Sequence, residues 1–239
     1  MVLFQLTTMR FITIYVAQGF IFAFFLFLAI KILKRDRKRL NVIFAGFYIS
    51  PVIGFFVNFI YGPMTDVNLV VLLNFVTNFG IFYSAIFLVV FDLILLKSEK
   101  VITTTKQTLI FLAYGIAMFS MIFFLFIPGA GVTLNESWSP VWSLPFFIYV
   151  VLVVSVGAVI PFLYLSMKIY KKFEDDLLKK KWKFFIYGFC CLIVFMYGIF
   201  VSNTLNISIF RTILGLVGLI LAIAGGYLMY NGVGRQLEK

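Results

Sequence analysis

The chain has 239 residues, of which 63% are hydrophobic, 20% aromatic and 12% charged, with a formal net charge of +11. So few charges exclude a water-soluble surface, which normally carries about a quarter charged residues. The lack of any histidine removes His-ligated haem, zinc or copper and His-based acid–base catalysis, and the chain reads as a membrane protein without enzymatic activity or cofactor.

Seven apolar stretches are long enough to cross a hydrocarbon core of about 30 Å, which takes about 20 helical residues. They fall at 11–33, 40–61, 69–96, 108–127, 146–170, 184–202 and 208–233. None alternates apolar and polar residues as a strand of a lipid-facing barrel does, so the expected fold is a single all-α domain of seven transmembrane helices. The first stretch is too long for the apolar core of a signal peptide and no small-residue cleavage site follows it, so it is read as a span.

On the second stretch Ser50, Gly54 and Asn58 share one face, and Pro51 removes a backbone donor. The third carries Asn74, Thr77, Asn78, Ser84 and Asp92 within roughly one third of the helix circumference. Such a stripe must face other helices or trapped water. It reads either as interhelical glue or as the lining of a ligand cavity, with Ser50 and Asn58 opposite its outer half. Asp92 lies on the order of 7 Å inside the basic boundary and needs a partner. Lys31, Lys168 and Arg235 are the basic residues in reach, for a structural tie or a gate.

The longest loop on the opposite side, PGAGVTLNESWSPVWSLP, spaces Trp138 and Trp142 four apart. They are expected to anchor at the membrane interface or to form a lid. Asn135 and Asn206 each begin a glycosylation-type tripeptide. The fifth stretch contains Pro161 and runs into KKFEDDLLKKKWK, where Asp175 before Lys179 and Asp176 before Lys180 support helix that extends beyond the membrane. Cys190 and Cys191 read as small apolar fillers in the sixth stretch. In the seventh, Arg211 lies above a small-residue face of Gly215, Gly218, Ala222 and Gly226, with Asp66 or Glu136 as its expected ion-pair partner or an anion as its ligand. No lysine occurs between Thr212 and Gly234, which excludes a retinal Schiff base.

Charge sets the expected orientation. Of the 20 basic residues, 18 fall on the side holding KRDRKR, KSEK, KKFEDDLLKKKWK and the C-terminus, and only Arg10 and Arg211 fall on the other. The positive-inside rule then puts the N-terminus outside and the C-terminus in the cytoplasm of a cell-membrane protein. The basic residues abut helix ends, so their expected partners are an anionic inner leaflet and a cytoplasmic signalling protein, not nucleic acid.

An internal duplication is a further expectation. FLFLAIKILK at 25–34 aligns on FLYLSMKIYK at 162–171 with both lysines matched, and a shift of 138 pairs Asn68 with Asn206, Gly80 with Gly218 and Lys97 with Arg235. This reads as a 3+1+3 parallel pseudo-repeat of the kind found in some transporters, against the alternative that apolar helices with basic inner ends match by chance. In topology, loop sizes and its aromatic-rich external loop, the chain resembles the seven-helix sensory region of some microbial histidine kinases and stand-alone archaeal seven-helix proteins. The resemblance implies a sensor; with no phosphoacceptor histidine or ATP-binding region before Lys239, its signal would leave through a separate protein. The expected function is therefore a receptor-like sensor coupling an outer or intramembrane cavity to the basic loops. A small-solute transporter or a structural subunit of a membrane complex are the alternatives.

Overall fold

The computed structural model describes residues 8–234. Arg235 and Lys239 lie outside the described residues. Seven long apolar helices make up almost all of the fold: α1 Ile12–Arg35, α2 Arg39–Tyr61, α3 Val67–Lys97, α4 Thr104–Phe126, α5 Leu144–Lys172, α6 Asp176–Leu205 and α7 Ser208–Val233. Large apolar side chains such as Phe20, Phe56, Leu72, Ile116, Phe123, Val156, Val194 and Ile220 point away from the bundle on all seven helices. Water would oppose so broad an apolar girdle, and hydrocarbon accepts it. The chain is a multi-pass membrane protein.

Contacts between connections define two ends of the bundle. At one end α4 and α5 are joined by a small antiparallel ribbon, β1 Val132–Leu134 paired with β2 Pro140–Trp142. At the other lie the basic connections, where the Arg39 guanidinium donates to Gln107 at 2.8 Å and ties the start of α2 to α4. These are the hairpin end and the basic end of the bundle. The helix ends have local causes. Asp66 accepts from the Leu69 amide at the start of α3, Thr103 from Lys106 near the start of α4, Ser143 from Phe146 at α5, and Asp175 from Leu177 and Leu178 at α6. Each side chain satisfies a donor that a helix N-terminus leaves orphaned.

Asp175 is thus a cap and not one member of an i,i+4 pair; the contact made is Asp176 with Lys179 at 3.7 Å, one residue closer. Only residues 173–175 interrupt α5 and α6, so both helices extend past the apolar stretches as expected. In α5 a π-turn at Ser155–Val159 precedes Pro161. Proline removes one ladder donor and crowds the carbonyl four residues earlier, and a widened turn relieves both.

Helices α2 and α3 are the most buried spans and α4 is the least. Glycines set the closest approaches. A Cβ on Gly54 would lie 2.7 Å from the Thr77 carbonyl oxygen of α3, and one on Gly188 of α6 would lie 2.5 Å from the Gly225 carbonyl oxygen of α7. Of the expected small-residue face of α7, Gly218 meets the Phe195 ring of α6, Ala222 is buried and Gly226 meets Phe24 and Phe25 of α1, while the space beside Gly215 is open; Gly225, one position over, makes the closest backbone contact.

Aromatic rings fill the rest. In the basic half Phe44, Phe91, Phe162 and Phe185 join α2, α3, α5 and α6. Toward the hairpin end Trp142 is only 2% exposed and packs on Phe146 and Phe200. It is a core plug, which corrects the expectation of an interfacial anchor: the β-ribbon folds it back under the loop.

Candidate functional site

A cavity of about 320 Å³ opens among α1, α2, α3, α6, α7 and the β-ribbon loop. Its α3 wall is made by Asn74, Thr77 and Asn78, all at most 5% exposed, and its α2 wall by Asn58 and Tyr61. The helical period that grouped these residues on one face also turns that face inward. The Asn74 amide donates to the Tyr61 hydroxyl at 2.9 Å, and Asn78 donates to the Asn74 carbonyl oxygen at 2.9 Å. Asn58 donates to Gln18 of α1. These two sets of bonds tie α3 to α2 and α2 to α1 while leaving the amides with further donor and acceptor capacity beside the cavity.

Ser50 and Ser84, expected in the same lining, stand outside it. The Ser50 hydroxyl donates to the Gly80 carbonyl at 2.5 Å and Thr77 donates to that of Gly54 at 3.1 Å. Gly54 and Gly80 let α2 and α3 touch beside Ser50, whose hydroxyl acts as glue, while Thr77 both makes such a bond and borders the cavity. Ser84 donates to the Ile81 carbonyl of its own helix at 2.7 Å, at an irregular turn that divides α3. It faces instead a separate, smaller void of about 60 Å³, otherwise apolar, which shares Ile21, Phe55, Ile81, Phe195 and Ile199 with the floor of the larger one.

Asp92 is fully buried, 0% exposed, but its partner is not a base. Ser166 of α5 donates to its Oδ2 at 2.5 Å, while its Oδ1 has no hydrogen-bond partner. Trp182 of α6 donates to the Ser166 carbonyl at 2.9 Å, which closes a small cluster of α3, α5 and α6. Of the expected cations, Lys31 lies over the rings of Phe27 and Tyr230 and Lys168 over Tyr164, while Arg235 lies outside the described residues. Long side chains at a helix end keep their charge near water by lying along such rings, whereas reaching Asp92 would mean burying it.

Arg211 likewise has no carboxylate partner among the described residues. Its Nη2 donates to the Pro140 carbonyl of the β-ribbon at 2.7 Å, and its buried Nε has no partner. Asp66 is spent on capping α3, and Glu136 is exposed. Arg10, just before α1, donates to the Ser137 carbonyl at 2.6 Å and is 8% exposed. Burial pushes its guanidinium below the ordinary arginine pKa, although arginine keeps its proton in proteins. Both arginines line the cavity, and among the described residues no Asp or Glu does.

The two glycosylation-type asparagines meet at the same rim. Asn135 donates to Asn206 at 2.9 Å and accepts from the Ser137 and Ser139 amides, so they pin the loop to the end of α6. Residues that the sequence did not single out as lining include Arg10, Thr13, Gln18, Ser202, Asn203 and Thr212. Gln18 was the detectable one, a lone amide inside an apolar run.

No group of three or more Cys, Asp or Glu residues placed to hold a metal ion occurs among the described residues. The arrangement offers binding groups: two guanidiniums, a set of amides and hydroxyls, and an apolar floor. Neither protein-family models nor curated proteins give a match to this chain.

Proposed function

We propose that the chain is a non-catalytic, receptor-like sensor of the cell membrane, with its hairpin end outside and its basic end in the cytoplasm. A small molecule entering the cavity from outside is felt at the inner loops. The orientation rests on the 18 basic residues at one end. The observation that carries the function is that α3 and α6 each contribute to both places. They wall the cavity with Asn74, Thr77, Asn78 and Ser202, and they reach the basic half with Asp92 and Trp182, which meet through Ser166. An occupant touching five helices shifts their relative positions by its differential affinity for the two arrangements, and the buried cluster is the polar contact that such a shift would remake. The basic loops beside it suit an anionic leaflet and a separate cytoplasmic signalling protein.

The test uses a tethered occupant. In a Cys190→Ala, Cys191→Ala background, Ser202→Cys is modified from outside with a bulky methanethiosulfonate, and hydrogen exchange is followed across residues 173–183. Sensing predicts a changed exchange rate there. Unchanged exchange with the cavity filled would contradict it, and steady solute flux in proteoliposomes would favour a transporter instead.

A further inference from the structure

The cavity is graded along its length, and the grading identifies a ligand class. At the hairpin rim stand two arginines, each oriented by a carbonyl of the loop, Arg10 by Ser137 and Arg211 by Pro140. Arg211 keeps a buried Nε without a partner. Among the described residues the wall that both share contains no Asp or Glu. In a low-dielectric setting, two guanidiniums around one volume make a strong field for an anion, and their planar donors suit a carboxylate or phosphate group. Below the rim comes the amide layer of Asn58, Asn74 and Asn78, and below that only apolar side chains, Phe55, Ile81, Phe195 and Ile199 among them. The smaller void continues this floor toward the basic end. From Asn74 to Ala85 along α3 the graded column measures about 16 Å by helix rise. A purely inorganic ion would leave the floor unused, and a neutral apolar molecule would leave the buried Arg211 Nε unanswered.

We propose that the cavity binds an amphipathic organic anion, with its acidic head between Arg10 and Arg211 and a hydrocarbon body of medium length on the apolar floor. This deepens the sensor reading by naming the ligand class of the same cavity. The head chemistry is shared by free alkyl carboxylates and by alkyl phosphates such as lipid fragments, and the two can be told apart by competition.

The experiment measures radiolabelled octanoate binding to the full chain in nanodiscs of zwitterionic phosphatidylcholine, with empty nanodiscs as the partition background. Saturable binding is expected, with octanol competing at least about tenfold less well because it lacks the charge. Each methylene removed from the chain should weaken binding about fourfold. Arg211→Gln and Arg10→Gln should each lose about tenfold or more and erase the preference for octanoate over octanol, while Arg211→Lys should lose less. Ile199→Trp, which fills the floor, should lose octanoate while sparing acetate. Stronger competition by octyl phosphate than by octanoate assigns the head as phosphate within the same class. Equal competition by acetate or chloride would overturn the proposal in favour of a simple anion site, as would equal competition by octanol or wild-type binding by both glutamine variants. Octanoate binding that leaves the inner loop unmoved supports the ligand class and removes sensing. An inner loop that answers the tethered occupant, with no octanoate bound, removes the ligand class alone.

Discussion

Ser166 on α5 donates its hydroxyl to the fully buried Asp92 carboxylate on α3 at 2.5 Å, while the other carboxylate oxygen has no hydrogen-bond partner. Losing that donor leaves the buried carboxyl unanswered, which costs about 1–3 kcal/mol. Ser166→Ala should therefore lower the thermal midpoint of the detergent-solubilised protein. Asp92→Asn keeps an oxygen for Ser166 to donate to and should leave the fold assembled while changing the inner-loop response. A fully responsive, equally stable Asp92→Asn protein would reduce the cluster to a structural tie.

Glycine contacts give the sharpest stability contrast. Gly188→Ala and Gly225→Ala push a methyl group into the facing backbone and should each cost about 1–3 kcal/mol. Gly215→Ala meets open space and, in a helix interior, should be neutral or gain up to about 1 kcal/mol. Midpoints from size-exclusion after heating would check both, and equal effects would deny the α6–α7 contact.

The third prediction separates two tryptophans. Trp142 is enclosed by Phe82, Phe146 and Phe200, while Trp138 sits half-exposed in the loop at a positive φ of 57°. In single-tryptophan variants Trp142 should emit to the blue and resist iodide quenching, and Trp138 should be quenched. Trp142→Ala should cost about 3–5 kcal/mol, as large core truncations do. Free quenching of Trp142 would return it to the interface.

The spans and the inward face of Asn74, Thr77 and Asn78 were legible because bilayer thickness and helical period act on sequence directly. What could not be read was which carbonyl each polar group would meet. Ser50 and Ser84 carry the same period as the asparagines, yet a glycine-mediated approach and a local turn bond decide their roles. Asp92 invites a base by charge alone, but its partner is a serine 74 residues away, which no local pattern marks. Arg10 and Gln18 stand singly in apolar surroundings, without a period to place them. Trp142 was misplaced because interfacial preference is an average, and a ribbon that folds back overrides it.

Orientation makes the fourth prediction. Cysteines at Ser137 and Lys180, in the background lacking Cys190 and Cys191, should label from opposite sides of intact cells, with Ser137 reached from outside. Same-side labelling would contradict the proposed orientation.

The most direct test of the cavity on which sensing depends is its pattern of reactivity toward a charged, membrane-impermeant thiol reagent added outside. With the same background, Asn78→Cys, Ser202→Cys and Thr212→Cys should react, because these positions line the cavity below the loop. Ser50→Cys and Ser84→Cys should stay silent, because the Gly54–Gly80 contact and the apolar floor stop a charged reagent above them. Equal reaction at all five positions, or reaction only when the reagent is supplied from the basic side, would contradict the account.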